Sequence, residues 1–150
     1  MAAAIAAYLH YLSIFLLFAL LTLEHQLLKL PLDLVRARSL VRIDMAYGIA
    51  AGLVLATGAA RVMWFGKGLD YYLHNSVFHA KFGLFIVVGL LSAIPTVVIL
   101  RWRLALKNGE VPQVSAKQAM LVTMVIRLEL LGLLVLPLLA ALMARGYGSF

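Results

Sequence analysis

The sequence predicts an all-α protein: an integral membrane up-down-up-down four-helix bundle formed by residues 1–150 as one domain. Three observations predict it. Hydrophobic residues make up 65% of the 150 positions and the mean hydropathy is +1.03, whereas a soluble domain is about 45–50% apolar. Four long apolar runs alternate with short polar connections, and a helix needs about 20 apolar residues to cross the hydrocarbon. Four such helices and their loops consume the chain, leaving nothing for a water-soluble domain.

The first run spans Ala2 to Leu23 without a charge and ends on Glu24 and His25. It is too long for a signal-peptide core and lacks a basic leader, so it is expected to be a retained helix. A polar connection follows with Lys29, Pro31, Asp33, Arg36, Arg38 and Arg42. The second run covers Met45 to Ala60, where Gly48 and Gly52 form a small-xxx-small pair that would admit a neighbouring helix closely. A loop from Arg61 to Asn75 carries Trp64, Tyr71 and Tyr72, side chains suited to a membrane–water boundary. The third run covers Val77 to Leu100, with Lys81 near its start and Pro95 inside. Arg101, Arg103, Lys107 and Lys117 fill the next loop. The last run covers Ala119 to Ala144 and contains Arg127, Glu129 and Pro137.

The basic residues set a direction. Lys29, Arg36, Arg38 and Arg42 in the first connection and Arg101, Arg103, Lys107 and Lys117 in the third make eight; Arg61, Lys67, Lys81 and Arg145 make four on the other side. The positive-inside rule then puts both basic loops in the cytoplasm and both termini outside, in a bacterial inner membrane. The net charge of +7 is therefore read as topology and lipid attraction, and no nucleic-acid partner is expected. With no cysteine, disulfides and thiolate metal sites are excluded.

The polar residues inside the apolar runs form two layers. Toward the termini lie His10, His79 and Lys81, with Trp64, Lys67, His74 and Asn75 in the loop between. His10 sits roughly 13 Å into its helix at 1.5 Å per residue, and His79 about a turn into its own. The two share a depth if the first helix starts outside the headgroups. An imidazole pair across a bundle core is a common way to hold haem b. Gly48, Gly52, Gly58, Ala59 and Gly83 would make room beside its plane, and Arg61, Lys67 and Lys81 would meet its propionates. The alternative is that both histidines only hydrogen-bond between helices or to interfacial water. Toward the basic loops lie Glu24, His25, Arg42, Asp44, Arg127 and Glu129. Residues two apart on a helix point in different directions. Arg127 is therefore expected to pair with Glu24 or Asp44, and Glu129 with Arg42, as a register-fixing layer or else a proton relay.

Tyr8-Leu9-His10, the Arg42 and Tyr47-Gly48 opening of the second helix, Gly58 near its end, and His79-Ala80-Lys81 resemble the HemJ-type protoporphyrinogen oxidase family of four-helix membrane proteins. The chain differs from that pattern in having Asn75-Ser-Val-Phe78 before His79. The whole chain also resembles a bacterial family of predicted membrane proteins of unknown function, including its Met143-Ala-Arg-Gly ending. The first resemblance implies haem b in the bundle with His10 as axial ligand, and His79, Lys81 and Arg42 lining one catalytic site. The reaction would be oxidation of a tetrapyrrole. His10 and His79 are thus the candidate metal ligands, and a tetrapyrrole or quinone-like molecule the candidate partner besides the bilayer. A non-catalytic membrane subunit and a small transporter are the rivals; a pore through only four helices would need a homo-oligomer.

Overall fold

A computed structural model describes residues 1–150 and is all-α. α1 runs Ala2–Leu27, α2 Leu34–Ala60 and the short α3 Leu69–Leu73; α4 runs Ser76–Leu100, the short α5 Arg103–Lys107 and α6 Ala116–Ala144. A π-helical turn, Arg61–Phe65, extends α2. Four stretches are long and apolar enough to cross a membrane: Ala2–Leu27, Leu34–Phe65, Ser76–Lys107 and Ala116–Ala144. Helices suit this setting because each satisfies its own backbone hydrogen bonds where no water can.

The helices begin earlier than the apolar runs do. α2 starts at Leu34 rather than Met45 because Asp33 caps it, its carboxylate accepting the Arg36 N–H at 2.8 Å. That exposed carboxyl is held below the usual carboxylate range, first by this backbone hydrogen bond and then by the Arg36 side chain. Arg36, Arg38 and Arg42 are consequently helical, not loop, residues. Asn75 caps α4 and Ser115 caps α6 in the same way, accepting from Phe78 N at 3.0 Å and Gln118 N at 3.1 Å.

α1 packs along α2, and α4 along α6; the two pairs meet through α1–α6 and α2–α4. Each helix buries one stripe at spacings of three and four residues. On α1 it is His10, Ser13, Leu17, Leu21 and Glu24; on α2 it is Ala37, Leu40, Asp44, Tyr47, Ala50 and Val54. α6 contributes Val122, Val125, Ile126, Glu129, Gly132 and Leu133. The outward faces are apolar too, with Phe15, Ile49, Leu90 and Leu134 exposed as lipid-facing side chains require.

Close approach falls on other glycines than expected. A Cβ at Gly48 or Gly52 would meet nothing within 4 Å, because both lie off the buried stripe of α2. At Gly132 a Cβ would stand 2.6 Å from Val88 Cγ2, so this glycine sets how closely α4 and α6 approach. The end bearing both termini is closed by the tail. Ser76 N donates to Gly148 O at 2.8 Å, Asn75 bridges to Ser149, and Tyr71 OH donates to Met143 O at 3.0 Å.

Candidate functional site

His10 is 6% exposed and lies on the α1 face that meets α2. Its Nδ1 is 2.9 Å from Thr57 Oγ1, and Thr57 in turn donates to Leu53 O at 2.6 Å. With the Thr57 proton committed to a carbonyl, its oxygen can only accept from the imidazole. His10 Nδ1 therefore carries the proton, and Nε2 keeps its lone pair. Gly58 accommodates the ring edge, since a Cβ there would stand 3.2 Å from His10 Cε1.

Two cations stand near this imidazole. Lys81 and Arg61, both half-buried, lie within coulombic range of His10. The Arg61 guanidinium also rests over the Tyr11 ring, 5.3 Å from its centre. Neither has a carboxylate partner, because the two ion pairs of the chain are Arg36–Asp33 and His74–Asp70. Beside Thr57 an apolar cavity of about 340 Å³ opens between the start of α1 and the end of α2, walled by Ile5, Leu9, Ala60 and Phe65 among others.

The remaining predicted site residues are dispersed. His79 is exposed, with Nε2 2.9 Å from Leu73 O, and α1 and α4 occupy diagonal positions without packing on each other. Lys67 lies on the exposed turn after α2, its Nζ 4.5 Å from the centre of the Tyr71 ring. Arg42 stands away from both. It is separated from Thr57 by roughly 22 Å along α2, at 1.5 Å per residue, and lines a basic cavity at the other end of the bundle. No three His, Asp or Glu side chains gather as a metal site. A metal held at His10 would have to bring most of its own ligands, as haem iron does with its porphyrin.

The second layer corrects the predicted ion pairs. Arg127 is exposed and donates to His25 Nε2 at 3.2 Å, and Arg42 does not reach Glu129. The cause is helical phase. Glu129 belongs to the inward stripe of α6, and Arg127, two residues earlier, faces outward. What fills the interior is Glu24 at 1% exposure, Glu129 at 0%, Asp44 at 4% and Tyr47 at 4%. Tyr47 OH donates to Glu129 Oε2 over a long 3.4 Å, and Thr96 Oγ1 donates to Asp44 Oδ1 at 2.8 Å. Both oxygens of Glu24 and Oε1 of Glu129 have no partner. An ionised group in a membrane helix costs about 2.5–3.5 kcal/mol on insertion scales, so these carboxyls need a proton or a counter-cation.

Thr57 and Thr96 are not among the residues the sequence singles out, although each is a polar residue within an apolar run. Thr57 also continues the stripe Tyr47, Ala50, Val54 at the same spacing, which marks it as inward-facing. Against known proteins, a family model described as a predicted membrane protein, DUF2214, matches residues 2–148. No curated protein and no solved structure matches the chain.

Proposed function

We propose that this chain, which belongs to the DUF2214 family of predicted membrane proteins, binds a haem b-type group at the end bearing both termini and serves as a membrane redox protein. One observation carries the reading: Thr57 fixes the tautomer of His10, a residue only 6% exposed, so that Nε2, which makes no hydrogen bond, is the available donor. Metal-bound histidines commonly donate their other ring N–H to an oxygen acceptor in this manner. The group, when bound, would supply one-electron exchange. His10 would hold it, Gly58 would keep the ring against α2, and Lys81 and Arg61 would neutralise propionates. His79, tied through Nε2 to Leu73 O, fits a proton-handling place at the rim better than an iron ligand.

The HemJ-type resemblance makes a tetrapyrrole the first substrate class to test and a quinone-like molecule the second. The distribution of basic residues favours an inner membrane with the basic loops in the cytoplasm and both termini outside. The test is the visible spectrum of protein purified from haem-replete cells. A Soret band that His10→Ala abolishes, with the bundle still folded, is the expected result. Colourless wild-type protein would reject the reading.

A specific observation favours a second reading. Two buried carboxyls, Glu24 and Glu129, with three unpartnered oxygens between them suit a proton path or a small transporter. Reconstituted into vesicles, the protein would then carry a proton flux that Glu129→Gln reduces at least severalfold. Equal flux in both proteins would dismiss it.

A further inference from the structure

The two basic connections contain an arrangement that the His10 site does not use. Arg38 and Arg42 lie four residues apart on α2, and Arg103 and Lys107 lie four apart on α5, so each pair shares a helix face. Buried Trp102 and Leu106 lay α5 against α2. The four cations then line one open cavity of about 260 Å³, with aliphatic Val41 and Leu106 as the rest of its lining. No acidic side chain lines it, and both ion pairs of the chain lie elsewhere. The only side-chain hydrogen bond among the four runs from Arg103 to Met45 Sδ at 3.1 Å, and a thioether is a weak acceptor.

Like charges four apart on a helix repel, and here two such pairs also face each other. Topology alone would be served by the same residues fanned into water; gathering them around a concavity calls for an anion. We propose that the cavity seats the phosphate of an anionic membrane lipid headgroup. Paired Arg guanidiniums match the forked geometry of phosphate oxygens. α2 and α5 both belong to stretches long and apolar enough to cross a membrane, and the cavity lies near the start of one and the end of the other, where a headgroup layer would be met. Basic pockets between membrane helices on one face bind phosphate-bearing lipid headgroups in this way. Val41 and Leu106 would lie against the glycerol and first methylenes, contacts a free phosphate cannot use.

The test compares the purified chain in vesicles of phosphatidylglycerol and of phosphatidylcholine. The melting temperature is followed in both, and retained lipid is counted by native mass spectrometry. Anionic lipid should remain bound and raise the melting temperature. R42Q/R103Q should lose retention roughly tenfold or more. R101Q/K117Q, which removes the same charge outside the cavity, should keep it. If R42Q/R103Q does not fold, R38Q/K107Q puts the same question to the other two cations. Equal losses in the lining and non-lining variants would overturn the proposal in favour of diffuse surface charge. So would equal retention of the two lipids. The same rise in melting temperature with inorganic phosphate alone would assign the cavity to a soluble anion and overturn it as well.

Discussion

The His10 layer and the carboxyl layer lie on the same stripe of α1, fourteen positions or roughly 21 Å apart, and treat polar groups in opposite ways. Around His10 every hydrogen-bond role is assigned: Nδ1–H to Thr57, the Thr57 hydroxyl to Leu53 O. One nitrogen is left over, with Lys81 and Arg61 nearby. Around Glu24 almost nothing is assigned. Asp44 has Thr96 and Glu129 has a long contact to Tyr47, but three carboxyl oxygens are orphaned in an apolar core. The contrast separates two kinds of buried polarity. A group whose protons are fixed is prepared to hold something, and a group without partners is prepared to exchange a proton or cation.

Beyond the loss of His10, the largest effect should follow Thr57→Val. Without its acceptor the imidazole loses its tautomer and orientation, and haem affinity should fall about 10–100-fold, the usual cost of losing such a support. Titration with hemin measures this, and unchanged affinity would remove the hydrogen-bond chain from the argument. Next comes Glu24→Met. Replacing an unpartnered buried polar group with an apolar one should raise unfolding stability by about 1–3 kcal/mol, read from thermal melts in detergent. A destabilised variant would show that Glu24 has a partner, and would strengthen the transport reading.

The smallest effect concerns Asp33, outside the crossing segments. Its folded-state carboxyl titrates below the usual range. Its capping contribution is thus complete above the unfolded-state value and fades as pH falls through the lower folded value. Asp33→Asn, which keeps the cap acceptor but removes the charge, should flatten that acid limb of a melting-temperature profile and change little at neutral pH.

Much of the architecture could be read from the chain because four uncharged apolar runs leave few alternatives in 150 residues. Helix starts were legible only in part. The caps Asp33, Asn75 and Ser115 are visible as residue types, but Arg36, Arg38 and Arg42 read as loop because their charge outweighed helical phase. Phase also decided the charged residues. Arg42 and Asp44 lie two apart and part company, Arg42 to the basic cavity and Asp44 to the core, and Arg127 and Glu129 do the same. Counting opposite charges therefore suggested ion pairs that the helix surfaces do not bring together. His10 was legible from its isolation in an apolar run; its partner Thr57 was not, since nothing in the spacing alone tells which helix faces which.

The pairing of α1 with α2 and of α4 with α6 has a consequence for the order of assembly. Helices inserted in sequence first form a hairpin that carries both Glu24 and Asp44, and the Thr96 hydroxyl that receives Asp44 arrives only with α4. Until then the half-built protein leaves Asp44 without the donor it has in the finished bundle. The second hairpin has a chemical reason to dock on that side of the first and on no other.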